Sequence, residues 1–347
     1  MATLRGMPPS PAPPSGSFFA IDRRTWRWVA SFGLNPAVAY LTLAAFTGRS
    51  NRWTRAGALA VSTHTGLARG RARAALDQLT RLGAVVEECA GSARRASREL
   101  VPFHETPVGR EAVPEPDRVW LPNALVRAGH LARLRETHDP ALLELLVSLY
   151  SAENLRDDGG LPRALIARTR PRTRLAHAAG HVVWAWPAVP SHGPATGAIG
   201  EAAATLARID RLAALGLVTW APHLAEHETD GELLHPLGGG AAGAEHLTGL
   251  AHAAARALAP AVVPPSPEEH FALPVAEHIE HAAVVDVVRL ALPPRTRPTR
   301  AFEAAAARTV ARFTTHYTGL AARALRPALR LVVPPAAARP APRPSTA

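Results

Sequence analysis

Apolar and polar positions alternate most regularly between residues 54 and 87, TRAGALAVSTHTGLARGRARAALDQLTRLGAVVE. Ala72, Ala75, Leu76, Leu79 and Leu82 recur at steps of three and four, which predicts a helix over 67–82 with one apolar face. Gly83 ends that helix, and Ala84-Val85 begins a strand. On the other side of the helix fall Gly70, Arg73, Ala74, Asp77 and Arg81, with Arg69 and Arg71 flanking its first turn. Upstream, Thr54 is placed to cap a short helix holding Ala58 and Val61, and Thr65-Gly66 reverses the chain without a Cβ clash. Downstream, AVVEE, a turn over 89–96 and SRELVPF predict a β-hairpin that carries Arg94, Arg95 and Arg98.

The pattern then echoes itself. Asn35-Pro36-Ala37-Val38 and Asp139-Pro140-Ala141-Leu142 each read as an N-cap, a proline at the first helical position and an apolar helix. Leu76, Leu79, Leu82-Gly83-Ala84-Val85 has its counterpart in Ile209, Leu212, Leu215-Gly216-Leu217-Val218. HVVWAWPAV, residues 181–189, reads as a strand inserted in the second copy, and LVTWAPHL is expected to pair with ELLHPL across an acidic turn. The expected organisation is a Pro- and Ser-rich segment over 1–17, a first domain over 18–110 and a second, diverged copy over 111–240. A helical region with a basic arm over 241–332 and a low-complexity tail over 333–347 follow. The fold class is mainly α with small β-hairpin wings, an α+β protein of tandem winged-helix-like domains.

Gly66-Leu67-Ala68-Arg69, the apolar steps through Leu76 and Leu79, and Gly83-Ala84-Val85 resemble the recognition region of bacterial winged helix-turn-helix regulators of the gluconate-repressor type. The resemblance implies a helix in the major groove of duplex DNA. Two such units in tandem resemble the arrangement in replication initiators of iteron-bearing plasmids, an analogy of fold that chooses neither transcription nor replication.

All 39 basic residues are arginine, so the net charge of +11 and the pI near 11.3 partly reflect residue usage. The distribution is more telling. Residues 1–110 hold fifteen Arg against six acids and 291–347 ten against one, whereas 191–290 hold four against twelve. Positive charge thus gathers around the predicted helix-turn-helix and the C-terminal segment, as expected where phosphates are met. A single cysteine, Cys89, and a start without a signal-type apolar core fit a bacterial cytoplasmic protein. The most apolar long stretch, 247–264, contains His252 and Arg256 and falls short of a membrane span.

The candidate DNA contacts are Thr54 and Arg55 before the supporting helix, Arg69, Gly70, Arg71 and Arg73 on the recognition helix, and Arg94, Arg95 and Arg98 on the wing. Arg163, Arg168, Arg170, Arg172 and Arg174, with no acid between them, are read as a second phosphate-binding patch. Arg73 and Asp77, four apart, could instead pair with each other. In the second copy Glu201, Arg208, Asp210 and Arg211 leave no net basic face, which points to packing or dimerisation. Arg295, Arg297, Arg300, Arg308, Arg312, Arg323, Arg326 and Arg330 are read as a basic arm leading into a helix. Glu277-His278 and Glu280-His281 would set two imidazoles near one helical face, but no third ligand follows at metal-site spacing. Gly238-Gly239-Gly240 lacks the Lys-Ser/Thr ending of a phosphate loop, and no nucleophile elbow occurs.

The expected function is sequence-specific duplex DNA binding, without catalysis, cofactor, metal, membrane or small-molecule ligand. A homodimer would set two recognition helices one helical turn apart on an inverted repeat. The competing expectation is a scaffold whose Arg-rich segments bind acidic partners.

Overall fold

The computed structural model describes residues 18–48, 51–88, 97–110, 117–153, 167–188, 201–228, 231–238, 243–279, 281–294 and 297–329. β1 (Phe18–Asp22) runs straight into α1 (Arg23–Ala30), because the Asp22 carboxylate accepts from the Arg24 amide at 2.9 Å and caps the helix. α2 (Leu34–Ala45) carries no charge and is buried from Pro36 to Ala45, the signature of a helix surrounded on all sides. It starts at Gly33, with φ at 106°, so Asn35 and Pro36 lie inside the first turn. The expected Asn35 cap is therefore corrected. The Asp139 cap holds, since its Oδ1 accepts from the amides of Ala141 and Leu142 at the start of α7 (Pro140–Ala152).

β2 (Trp53–Thr54), α3 (Ala58–Thr65), α4 (Arg69–Leu82), β3 (Val85–Glu88) and β4 (Ser97–Leu100) complete the first half. The three strands form an antiparallel sheet in the order β2-β4-β3. α4 buries Ala72, Ala75, Leu76 and Leu79, and Gly83 closes it in the left-handed region at φ 73°. There the Ala84 amide donates back to the Leu79 carbonyl at 3.1 Å.

The second half opens with β5 (Arg118–Pro122), α5 (Asn123–Arg127), α6 (His130–Glu136) and α7, followed by β6 (Ala167–Arg170) and the hairpin β7 (Thr173–Ala178) and β8 (His181–Pro187). α8 (Glu201–Ala214) ends as α4 does, with Gly216 at φ 70° and the Leu217 amide donating to the Leu212 carbonyl at 3.0 Å. β9 (Val218–Ala225), β10 (Leu233–Pro236), α9 (Ala244–Leu258), β11 (His270–Ala276), β12 (Ala283–Leu290) and α10 (Arg297–Leu329) follow.

The larger sheet has the order β10-β9-β12-β6, and within it β9-β12-β6 repeats the order of β3-β4-β2. One hydrogen bond recurs at the same place in both: Val101 N to Ala84 O and Ala291 N to Leu217 O, each 3.0 Å. β8 and the β9–β10 pairing stand where the sequence puts them. Two expectations fail. The strand that completes the second sheet is β12, so this unit continues past residue 240, and the region after 240 contains two strands besides its helices. The reason lies in an insertion: β10, α9 and β11 separate β9 from its main partner.

The halves are not independent bodies. β1 pairs antiparallel with β5 from Phe18–Pro122 to Asp22–Arg118, and one apolar cluster runs from Phe19 through Val38, Leu79 and Leu142 to Leu290. Arg23 reinforces the seam, its Nε donating to Asp117 at 2.6 Å. A second cluster, with Trp186, Leu247, Phe271 and Tyr317, packs β8 and β11 beneath α9 and α10. The protein is thus a mixed α/β structure with small antiparallel sheets.

Candidate nucleic-acid interface

Periodicity decides what α4 presents. With Ala72, Ala75, Leu76 and Leu79 buried, the positions between them turn outward, and Arg69, Gly70, Arg71, Arg73, Ala74, Asp77 and Arg81 are all exposed. Among the described residues Arg69, Arg71 and Arg73 have no hydrogen-bond or ion-pair partner. The expected alternative pairing of Arg73 with Asp77 does not form; Arg81 Nε instead donates to the Asp77 carbonyl at 3.4 Å. A Cβ added at Gly70 meets nothing within 4 Å, so this glycine leaves open space at the surface of the helix.

α3 holds α4 from behind. Its left-handed Gly66 turns the chain, Ser62 Oγ donates to the Leu67 carbonyl at 2.7 Å, and Thr65 Oγ1 donates to Val61 O at 2.6 Å. Arg135, from α6 of the second half, donates through Nε to the Thr65 carbonyl at 2.6 Å and so satisfies the end of α3. Sequence reading missed Arg135. Its only sequence signal was a short Leu-Arg repeat, His130 to Glu136, that carries no marker of its distant partner.

Several candidate contacts are placed differently from expectation. Thr54 is buried in β2, and its Oγ1 accepts from the Ala56 amide, so it neither caps α3, whose cap is Gly57, nor reaches solvent. Arg55 beside it is exposed and free of partners among the described residues. Arg98 is half-buried and engaged: it pairs with Glu87 across the β3–β4 hairpin at 3.0 Å and donates to Ala56 O at 3.1 Å, bracing the hairpin against the turn before α3. Arg94 and Arg95 lie outside the described residues.

The proposed second phosphate patch is corrected most strongly. Arg168 and Arg170 are each 6% exposed, because strand alternation turns both into the protein. Arg168 pairs with Asp210 at 2.7 Å and lies 4.1 Å over the Trp220 ring. Arg170 makes a two-pronged contact with Asp286, which is fully buried in β12, at 2.8 and 2.7 Å, and also donates to the carbonyls of Pro187 and Ala188. Arg172 donates to the Ala282 carbonyl and lies 4.3 Å over Trp184. Of the described members only Arg174 faces solvent fully, and Arg163 falls outside the described residues.

α8 occupies the position of α4 with the opposite result. Asp210 accepts from Arg168 and from Trp220 Nε1, while Arg211 pairs at 2.6 Å with Asp139, the capping residue of α7. Asp210 and Arg211 are thus tied to partners within the chain although both remain about half exposed, while Arg208 has no partner among the described residues. The predicted basic arm is instead part of one continuous helix, α10, whose Arg297, Arg300, Arg308, Arg312 and Arg323 are exposed; Arg295 lies outside the described residues. His278 and His281 sit in the β11–β12 turn rather than on a helix, and no group of three potential metal ligands occurs among the described residues. Nor is any described helix long and apolar enough to cross a membrane.

Comparison with protein-family models, with curated proteins and with solved structures gave no match for this chain.

Proposed function

We propose that the protein binds duplex DNA sequence-specifically, with α4 as recognition helix in the major groove and the β3–β4 hairpin as wing. The fold is read accordingly as two winged-helix-like units in tandem, the second enlarged by insertion. One observation carries the reading: Arg69, Arg71 and Arg73 stand exposed and without a partner among the described residues on a helix held by α3, whereas Arg168 and Arg170 of the second sheet are buried and paired internally. An arginine fork matches guanine O6 and N7, and each such contact discriminates by about 1–3 kcal/mol. Transcription control and plasmid-type replication initiation both use this contact.

Selection of bound fragments from randomised and genomic duplex DNA tests it, with the purified protein beside its Arg69→Ala/Arg71→Ala variant. A motif recovered by the wild type and lost by the variant is the expected outcome. Equal, motif-free recovery by both would overturn sequence-specific reading and favour a scaffold that binds polyanions through its arginines.

A further inference from the structure

The Arg71 flank of α4 opens onto a cavity of about 340 Å³ that this helix shares with the second half. Arg71 and Gln78 line it from α4, Arg135 and His138 from α6 and the turn after it, and Asn35 from the first turn of α2. No Asp or Glu is among the lining residues. Arg71 has no partner among the described residues, and the nearest carboxylate to Arg135, that of the mostly exposed Glu136, stands 3.9 Å from Nη2. Two guanidinium groups lining one cavity repel each other when that lining holds no carboxylate and Glu136 answers only Arg135, and an entering anion relieves that repulsion.

The position of the cavity selects the anion. A helix lying in a major groove about 12 Å wide has a phosphate chain along each flank. Arg71 and Gln78 lie on one flank of α4, beside its base-facing residues Gly70, Ala74 and Asp77. Arginine forks grip phosphate oxygens in pairs, and the asparagine and glutamine amides and the imidazole add further donors.

We infer that this cavity seats a backbone phosphate of the same duplex that α4 reads, so that the second half holds the DNA through Arg135 and His138. The inference rests on the DNA-binding reading above and assigns the second half a direct contact that neither its own Gly-capped helix nor its arginine cluster supplies.

Two variants test it without disturbing the Arg135–Thr65 contact. His138→Ala removes one donor from an exposed position. Asn35→Asp places a carboxylate of equal size among the arginines, at a helix start where an acid favours folding. Binding of the selected duplex is measured against salt concentration for wild type and both variants, with thermal unfolding in parallel. Asn35→Asp is expected to keep or raise the melting temperature while lowering affinity about tenfold and flattening the dependence of log K on log salt by about one phosphate; His138→Ala is expected to weaken binding two- to fivefold.

Unchanged salt dependence in both variants, with wild-type binding intact, overturns the shared phosphate site and leaves the recognition helix standing. Failure of the wild type to bind any duplex overturns both. Titration with inorganic phosphate, followed through the His138 ring resonances, separates the two sources of the anion: a response abolished by Asn35→Asp, together with an unchanged duplex salt dependence, would make this a free-anion pocket and overturn the DNA assignment.

Discussion

α4 and α8 end on the same glycine turn, lead into equivalent strands and differ in where their charges go. On α4 Arg69, Arg71 and Arg73 are exposed and have no partner among the described residues; on α8 Asp210 and Arg211 are tied to Arg168 and Asp139. The same local fold thus serves as a presenting surface in one half and as a joint in the other. The teaching is that an amphipathic helix after a turn specifies how it packs, whereas its use depends on whether distant residues of opposite charge reach its outer face.

The largest effect is expected from the presenting helix. Arg69→Ala/Arg71→Ala should cost about 1–3 kcal/mol of discrimination between the selected duplex and random sequence through Arg69, and weaken binding to every duplex through Arg71, with folding unchanged, as read by competition binding. The same pair of measurements on Arg211→Ala should show no loss of discrimination; an equal loss there would erase the distinction between the helices.

Next comes the joint. Asp286→Ala leaves Arg170 buried without a counter-charge, which should lower stability by about 3–5 kcal/mol in urea unfolding. If the variant unfolds no more easily than wild type, the second half does not depend on its internal ion pairs.

Proton uptake distinguishes the halves as well. Among the described residues, every shift that bears on the mildly acidic to neutral range lies in the second. His235, on β10 against α10 and bonded to Tyr317 Oη at 2.8 Å, is pushed down to about 4, first by burial, against an upward pull from the Pro236 carbonyl and with smaller downward contributions from the nearby His316 and Arg312. The unfolded chain takes up this proton near pH 6.5 and the folded chain holds it off to about 4. Stability contributed by neutral His235 is therefore complete above 6.5 and lost as pH falls from 6.5 to 4, by about 3 kcal/mol. Glu153, at the end of α7, is pushed up to about 7 by burial and acts in the opposite sense, adding stability as it protonates. Unfolding midpoints of Glu153→Gln against pH isolate the histidine effect, and His235→Gln in that background should flatten the curve between pH 4 and 6.5. A slope that survives in the double variant would place the sensitivity elsewhere.

The smallest effect concerns Gly70. Its open surroundings and helical backbone mean that Gly70→Ala should stabilise the protein by about 0.5–1 kcal/mol, since alanine is the better helix former. If the backbone approaches DNA there, the same methyl should weaken duplex binding, so calorimetry and binding should move in opposite directions.

What could be read from residues alone was what depends on neighbours in the chain. The apolar steps of α4, the two glycine turns and the hairpin after Gly83 follow from positions three or four apart. The arginine run at 168–174 was misread because linear charge density ignores both strand alternation and partners 42 and 116 residues away. One signal was available: Asp286 stands alone in AVVDVV, and a carboxylate within an apolar strand requires a buried cation. Asn35 looked like a cap because Asn-Pro resembles Asp139-Pro140, but Gly33 allowed the first helix to begin earlier. Arg135 and His138 offered no comparable pattern, for their place beside α4 depends on how the halves meet.

The β1–β5 pairing bears on how the chain comes into being. β1 is made before its partner strand, which ends at Pro122, so Phe19 and Ile21 wait with an open strand edge until the start of the second half has been made. A nascent first half, complete in its own helices, therefore remains adhesive and unfinished, and a chain cut at residue 110 would carry that exposed edge permanently.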